Sequence, residues 1–190
     1  MVKQNNKNNI KWLFIILRLF FIYRFIYIIY NYIVMYITLK ELFDIITDNI
    51  KIYGSLEQSN NIINLYCGTD WKQYIINTKS YYYKNLIFRS DLIELYIITW
   101  PISISSCIHD HPDKGCILKV LYGKLEETSY DKINDTCAKI KEVNILNEQS
   151  IGFKISDNVL HKIKNINDDI SVSLHIYASP NYICNKYVEL

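Results

Sequence analysis

The hydrophobic pattern divides the chain into three parts. Residues 12–37 form an almost continuous apolar run that only Arg18 and Arg24 interrupt with charge. From Thr38 to about residue 80, apolar residues recur at the spacing of amphipathic helices. From residue 81 onward, short runs rich in β-branched and aromatic residues alternate with polar turns, which is typical of strands. We therefore expect an N-terminal segment over 1–37 and one domain over 38–190, with a helical section over 38–80 and a β-barrel over 81–190.

The apolar run over 12–37 leaves several interpretations open. As a helix it would be about 39 Å long, more than the roughly 30 Å of a bilayer core. Each arginine would cost about 2.5–3.5 kcal/mol at the bilayer centre, which the many apolar residues could offset. The alternatives are a buried or hairpin extension of the domain, or a start codon assigned upstream of the true one. A secretory signal is not indicated, because no small-residue cleavage site follows the run.

The helical section has a recognisable beginning. Thr38-Leu39-Lys40-Glu41 has the pattern of a capping box, in which a threonine and a glutamate three residues later satisfy free backbone amides. The spacing of Leu39, Leu42, Phe43 and Ile46 then predicts a helix with one apolar face. Further helical stretches are expected at about 59–65 and from Asp70 onward.

The strand-like part consists of short runs separated by turn residues. Several short strands at this spacing indicate an antiparallel sandwich or barrel. The mixed charges of 139–142 favour a solvent-exposed face. The clearest strands are predicted at 92–100, 116–122, 124–131, 150–155 and 170–177.

Composition narrows the class of protein. Of the 190 residues, 50% are hydrophobic, which is enough for a packed core and excludes wholesale disorder. The net charge is +2, so the basic excess that nucleic-acid binding needs is missing, and we expect no nucleic-acid partner. The five cysteines form no C-x-x-C pair, which argues against a disulfide scaffold or a thiolate zinc site. Free thiols fit the reducing cytoplasm.

The four histidines are clustered between positions 109 and 175, and two of them form the motif His109-Asp110-His111. Residues two apart on a strand point to the same face, so these imidazoles could hold one metal ion. The alternative is two ordinary histidines at the end of a strand. His161 lies in a second strand-like segment further along the chain.

The last histidine lies in an apolar strand that has a polar face. Ser173, His175 and Tyr177 would project from one side of this strand, and apolar residues from the other. Polar side chains in such surroundings need hydrogen-bond partners. The pattern fits either a buried network that fixes the core or the surroundings of a metal site.

These motifs together resemble a known family. The segment from Ser103 to Gly123 is similar to the first cupin motif, with Ser103 in place of the usual opening glycine and Cys116 in place of the usual acidic ligand. The cysteine at that position is the mark of the cysteine dioxygenases. The segments that resemble this family are Trp71-Lys72-Gln73-Tyr74, Tyr82-Tyr83-Lys84-Asn85-Leu86, SSCIHDHPDKGCILKVLYGKLEETSYD over 105–131 and SVSLHIYASP over 171–180.

The resemblance runs from about residue 38 to the C-terminus, and it implies both a fold and an activity. The fold would be mainly β, a cupin-type antiparallel β-barrel or jelly roll behind a short N-terminal helical section. His109, His111 and His161 would bind one Fe(II) ion per chain. Cysteine would bind through sulfur and amine beside O2, and both oxygen atoms would be transferred to sulfur, which gives cysteine sulfinate. The site would have no carboxylate ligand, unlike the commoner site of two histidines and one carboxylate.

The resemblance also implies a cofactor made from protein side chains. In the family, a thioether joins the cysteine at the position of Cys116 to the tyrosine at the position of Tyr177. Ser173 and His175 would form a hydrogen-bonded chain to that tyrosine. Without the resemblance, Cys116 would be a small buried apolar residue, as most free cysteines are. Cys184 corresponds to a family cysteine near the mouth of the pocket, and no role is assigned to Cys67, Cys107 or Cys137.

The chain departs from the family at the substrate clamp. The family holds the substrate carboxylate with an arginine, and the corresponding residue here is Lys84, with Tyr82 two residues earlier. Lysine is a point charge and cannot make the planar two-pronged contact of arginine. We therefore expect weaker cysteine binding or a shift toward a thiol such as 3-mercaptopropionate; the alternative is that Lys84 is a solvated strand residue. With a glycine at position 115, a side chain is expected to be missing near the pocket.

The sequence thus predicts a thiol dioxygenase that oxidises cysteine, a monomer located in the cytoplasm. Two alternatives stay open, namely the same chemistry on another small thiol and a non-catalytic cupin that binds a metal. Membrane association through 12–37 also stays open.

Overall fold

The computed structural model describes residues 18–26, 37–156 and 159–190. Residues 18–26 are helical, and their side chains are exposed. Among the described residues, no helix combines the length and apolar character that crossing a bilayer requires. Most of the run over 12–37 lies outside the described residues, so the interpretations of that run stay predictions.

The helical section begins where the sequence predicts. Helix α1 spans Leu39–Tyr53, and its capping box is present, because the Thr38 hydroxyl accepts from the Glu41 amide and the Glu41 carboxylate accepts from Thr38. The helix ends at Gly54, whose φ of 73° is the left-handed conformation that favours glycine. A 3₁₀ turn at Glu57–Ser59 leads into the short helix α2, Asn60–Asn64. The stretch that begins at Asp70 is a 3₁₀ helix, Asp70–Tyr74.

Ten strands follow in the described part of the chain. The five clearest predicted strands are confirmed within one or two residues, whereas no bounds were predicted for the strands at 83–89, 108–109, 137–146 and 186–189. In chain order they are β1 Tyr83–Arg89, β2 Ile93–Trp100, β3 Ile108–His109, β4 Cys116–Tyr122, β5 Leu125–Lys132, β6 Cys137–Leu146, β7 Ile151–Lys154, β8 Leu160–Asn165, β9 Ser171–Ala178 and β10 Lys186–Glu189.

The strands form two sheets. The first has the order β1-β2-β9-β4-β7, and the second, β10-β3-β8-β5-β6, closes on itself. The described strand pairs are antiparallel except that β10 runs parallel to β6. The predicted cupin-type barrel is therefore confirmed, with this one parallel pair as a departure from an entirely antiparallel arrangement.

The first sheet is buried on both faces. One face, which includes Ile97 of β2 and Leu174 of β9, packs in a common core with Leu42 and Ile46 of α1. The opposite face, which includes Ile98 and Trp100 of β2, packs against the second sheet at Leu125 and Ile163. The helical section thus covers the back of the sheet, and the polar residues of β9 and β2 are left facing the interior, where the site is located.

A buried lysine joins the helical section to this sheet. The Lys119 ammonium on β4 is fully buried and donates to the backbone carbonyls of Ile63, Asn64 and Tyr66 at 3.1, 3.3 and 2.7 Å. These carbonyls lie at the end of α2, where a helix leaves its acceptors without partners. A cation in this position is favoured by the negative end of the helix dipole.

Two positions in the first cupin motif depend on backbone conformation. Ser103 has a φ of 63°, a left-handed conformation that favours glycine, which accounts for the usual glycine at this position. Gly115 has a φ of 100°, and an added Cβ would come within 2.6 Å of the Phe153 ring. The absence of a side chain at Gly115 thus makes room for the Phe153 ring.

Candidate active site

Three imidazoles converge inside the barrel. His109 on β3 pairs directly with His161 on β8, and His111 follows two residues after His109. The ring centres of His161 lie 4.7 Å from His109 and 4.4 Å from His111. The Nε2 atoms of His111 and His161 are 3.0 Å apart, and one nitrogen from each of the three rings lies within 4.8 Å of the others. The residues predicted as metal ligands are thus brought together.

Each ring is oriented by a hydrogen bond at Nδ1. The Nδ1 atom of His109 lies 3.0 Å from the Cys107 carbonyl, and that of His111 lies 2.9 Å from the Val159 carbonyl. The Nδ1 atom of His161 lies 2.7 Å from a carboxylate oxygen of Glu127. Because these oxygens accept hydrogen bonds, each Nδ1 donates, and each Nε2 keeps its lone pair for the shared space.

The electrostatics of the three rings fit a metal cation. Burial lowers the pKa of His109, and burial together with the neighbouring imidazoles lowers the pKa of His111 and His161 well below the ordinary value. The rings are therefore neutral at neutral pH, as metal binding requires. Three lone pairs that face one another repel, and a cation placed between them would remove the repulsion. Imidazole ligands suit iron, zinc, copper and nickel.

Glu127 is a functional candidate that the sequence reasoning missed. Its side chain on β5 is buried, and its second oxygen forms an ion pair of 3.2 Å with Lys154. A carboxylate that accepts from a metal-binding histidine fixes the ring and raises its basicity. The sequence signal that could have identified it is the alternation of β5: Glu127 lies two residues after the buried Leu125 and therefore on the same, inward-facing side of the strand.

A second cluster lies on the neighbouring strands β4 and β9. Cys116 and Tyr177 are directly opposite each other across the antiparallel pair. Tyr177 OH lies 3.3 Å from Nδ1 of His175, whose Nε2 lies 2.9 Å from the Ser173 hydroxyl. The Trp100 indole donates to the same hydroxyl at 2.8 Å. The polar face of β9 is thus a connected chain that ends at the phenol of Tyr177.

Both partners of this cross-strand pair are protonated at neutral pH. Burial raises the pKa of Cys116 to about 12 and raises that of Tyr177 well above its ordinary value. Burial also lowers the pKa of His175, so the imidazole between Ser173 and Tyr177 is neutral. A neutral imidazole has one donor and one acceptor, which matches its position between two hydroxyl groups.

A cavity of about 100 Å³ lies between the two clusters. This is well below the roughly 300–1,000 Å³ of pockets for drug-sized ligands, so it suits a very small molecule. His111, Cys116 and Ser173 do not line it directly. The predicted residues that line it are Tyr82, Lys84, His109, His161, His175, Tyr177 and Cys184, and Cys107, to which the sequence gave no role, lines it as well.

Lys84 places a cation at this cavity. Its Nζ lies 4.4 Å from the ring centre of Tyr177 and 4.7 Å from that of Tyr96. Burial lowers the pKa of Lys84, whereas contact with two aromatic faces favours its charged form. Tyr82 stacks on Trp100 with ring centres 4.7 Å apart. Lys84 is thus directed into the pocket, although part of its side chain is exposed.

Asp110, between the two histidines of the motif, closes one side of the pocket. Its buried carboxylate accepts from the Tyr182 hydroxyl at 2.7 Å and from the Asn185 backbone and side-chain amides at 2.8 and 2.7 Å. These bonds hold the segment before β10 against the site. Cys184 lies in this segment, which explains its position at the cavity.

Comparisons with known proteins identify the family of the chain. The family model of cysteine dioxygenase type I matches residues 36–190. Human cysteine dioxygenase type 1 is 33% identical over 125 residues, which cover 63% of this chain and 62% of the human protein, less than two thirds of its length. The Danio rerio protein of the same name is 29% identical over 158 residues, which cover 79% of this chain and 75% of that protein.

Solved structures support the fold. An uncharacterized conserved Klebsiella pneumoniae protein with a double-stranded β-helix domain has a TM-score of 0.51 and 12% identity, and the match covers 61% of this chain and 87% of that one. A Bacillus halodurans protein has a TM-score of 0.50 and 11% identity, with coverage of 64% and 86%. At such identities the likeness concerns the fold alone. Since the family model matches most of the sequence, including every residue of the two clusters, the chain belongs to the cysteine dioxygenase type I family.

Proposed function

We propose that this chain is a thiol dioxygenase that oxidises L-cysteine with O2 to cysteine sulfinate. The observation that carries the proposal is the convergence of three neutral imidazoles beside a small cavity. His109 and His161 line this cavity together with Tyr177, the cross-strand partner of Cys116. Membership of the family supports it. The reaction balances without another reactant, because one thiol and one O2 give one sulfinic acid.

The ion that fits the proposal is Fe(II), one per chain, held by His109, His111 and His161. Bound iron supplies the redox chemistry that lets O2 react with a thiolate. The protein's own contribution is to orient the ligands. The Cys107 and Val159 carbonyls and the Glu127 carboxylate fix the three rings, so that little reorganisation is needed when the ion binds.

The chain from Trp100 through Ser173 and His175 to Tyr177 serves to hold the phenol toward the pocket. Each hydroxyl or ring nitrogen in it has a partner at 2.8–3.3 Å, so the Tyr177 hydroxyl keeps one orientation. A fixed hydroxyl beside the reacting sulfur can donate or accept a hydrogen bond without reorganisation.

Cys116 and Tyr177 are proposed to form a thioether. Directly opposite residues of an antiparallel pair have Cβ atoms about 4.5–5.5 Å apart, which brings the sulfur next to the phenol ring. Formation of the bond removes one hydrogen from the sulfur and one from the ring, and O2 accepts the electrons. The link would prevent Tyr177 from rotating away from the pocket.

Lys84 is proposed to hold the carboxylate of the substrate, with Tyr82 beside it. Its ammonium is the cation nearest to Tyr177 among the contacts described for the pocket. Because lysine makes a single-point contact, a thiol acid without an amine, such as 3-mercaptopropionate, is the second candidate substrate. Steady-state kinetics with cysteine and with 3-mercaptopropionate would show which of the two substrates is preferred.

The test uses the full chain, loaded anaerobically with Fe(II). We expect one bound iron per chain, and O2 uptake with cysteine that matches sulfinate formation one to one. The variant His161→Ala should no longer bind iron. Lys164→Ala, a change on the opposite face of the same strand, should bind iron like the wild type. Iron binding without O2 uptake on cysteine, cysteamine or 3-mercaptopropionate would instead identify a non-catalytic metal-binding cupin.

A further inference from the structure

The ammonium of Lys84 is held between two aromatic rings that belong to different strands. Tyr177 lies on β9 and Tyr96 on β2, and the rings meet edge to face at 84° with centres 5.8 Å apart. The family resemblance assigned no role to Tyr96. Its ring is nevertheless as much a part of the lysine's surroundings as that of Tyr177, because Nζ lies within 5 Å of both ring centres.

The ring of Tyr96 is itself fixed by a buried carboxylate. The Tyr96 hydroxyl donates to Glu94 at 2.9 Å. Only 3% of Glu94 is exposed, and its other oxygen accepts from Arg89 at 2.6 Å and from the Asn181 amide at 3.3 Å. With its oxygens occupied in this way, Glu94 acts as an anchor for the tyrosine rather than as a second charge that is free to bind the lysine.

The strand register explains why this anchor matters. Lys84 lies on β1, the edge strand of its sheet, where it pairs with Ile98, and none of the described strands pairs with the other side of β1. A lysine on an edge strand can turn its flexible side chain toward solvent. Tyr96 pairs with His175 and Glu94 pairs with Tyr177, so both belong to the inward rows of the sheet, beside the cluster of β9.

We propose that Tyr96, anchored by Glu94, is a specificity-determining positioning residue that keeps the Lys84 ammonium inside the pocket. The site would then select thiols that end in a carboxylate over thiols that end in an amine alone. This inference rests on the proposed function, because it assigns Lys84 to the acidic end of a thiol substrate.

Loss of the ring should affect one class of substrate. In Tyr96→Leu we expect KM for cysteine and for 3-mercaptopropionate to rise about 3- to 30-fold, the range of a cation–aromatic contact. KM for cysteamine, which has no carboxylate, should change less than twofold. In Tyr96→Phe, which keeps the ring but not the anchor, the rise for cysteine should be smaller than in Tyr96→Leu.

A double-mutant cycle shows whether Tyr96 acts through Lys84. In a Lys84→Met background, Tyr96→Leu should have no further effect on KM for cysteine, because the positioned charge is already gone. Tyr53→Leu, at the exposed end of α1, is the matched control and should behave as the wild type. Thermal unfolding of each variant checks the fold. Tyr96→Met, whose unbranched side chain adapts more readily to the space left by the ring, replaces Tyr96→Leu if that variant does not fold.

Three results would overturn the inference. The first is an equal rise of KM for cysteine and cysteamine, and the second is an undiminished effect in the Lys84→Met background; both would indicate a merely structural role. The third is an unchanged KM for cysteine in Tyr96→Leu while the wild type forms sulfinate. A wild-type enzyme that forms no sulfinate from any of the three thiols would instead refute the proposed function, and this inference with it.

Discussion

Replacement of Glu127 should weaken metal binding more than any other change outside the three histidines. The Glu127 carboxylate accepts from Nδ1 of His161 at 2.7 Å in a buried environment, so the bond is short and charge-assisted. Without it, the His161 ring loses its fixed orientation and part of its basicity. Lys154, the other partner of Glu127, would also remain as an uncompensated cation near the bound ion.

The expected magnitude follows from these contacts. Loss of a carboxylate partner of a metal-binding histidine typically reduces metal affinity about 10- to 100-fold, or about 1.4–2.7 kcal/mol. Because both effects act in the same direction, Glu127→Ala should lie at the upper end of this range. Glu127→Gln keeps an acceptor for Nδ1 but not the charge, so it should lie at the lower end.

The assay is anaerobic competition for Fe(II) between each protein and a chromophoric chelator. Glu126→Ala is the matched control, because Glu126 is the neighbouring residue on β5 and is less buried than Glu127. It should bind iron like the wild type. If folded Glu127→Ala binds iron as tightly as the wild type, the assignment of Glu127 to the support of His161 is refuted.

Three further predictions concern the folded state. Without metal, the protein should lose stability as the pH falls below about 6.5, because the unfolded chain binds protons on four histidines whose pKa values burial lowers in the folded state. Each histidine can contribute up to about 1.4 kcal/mol per pH unit to this loss. A Tm, measured in chelator, that stays constant from pH 7.5 to 5.5 would contradict the prediction. The intact mass after aerobic turnover should be lower than the sequence mass by two hydrogen atoms, and Tyr177→Phe should abolish the difference; a wild type of full mass would exclude the thioether. Ser103→Gly should raise the free energy of unfolding by about 1 kcal/mol in a denaturant titration, because glycine adopts the left-handed φ of 63° without strain. An unchanged or lower free energy of unfolding would show that Ser103 is not strained.

The elements that the sequence revealed are those encoded by local patterns. The capping box at Thr38 and the apolar face of α1 follow from neighbouring residues alone, and the structure confirms both. The alternation of Ser173, His175 and Tyr177 likewise fixes which side of β9 is polar. The spacing of His109 and His111 indicated that the two rings share a face, whereas His161 was assigned to the same site only through the family resemblance.

Other features depend on contacts that no local pattern encodes. β2 is buried on both faces, so its composition does not distinguish Glu94 and Tyr96, which face the pocket, from residues that face the helices. β3 has two residues, and β10 pairs in parallel with a distant strand, so neither has a sequence signal of its own. The partnership of Glu127 with His161 and Lys154 joins three strands. The monomeric state, the cytoplasmic location and membrane association through 12–37 stay predictions.

The most direct test of the central claim is the isotopic composition of the product formed under ¹⁸O2. The iron-loaded full chain is given cysteine in an atmosphere of labelled O2, and the product is analysed by mass spectrometry. If the three histidines and the facing cluster form a thiol dioxygenase site, the product is cysteine sulfinate with two labelled oxygen atoms in each molecule. Unlabelled or singly labelled product, or cystine in place of sulfinate, would contradict the account.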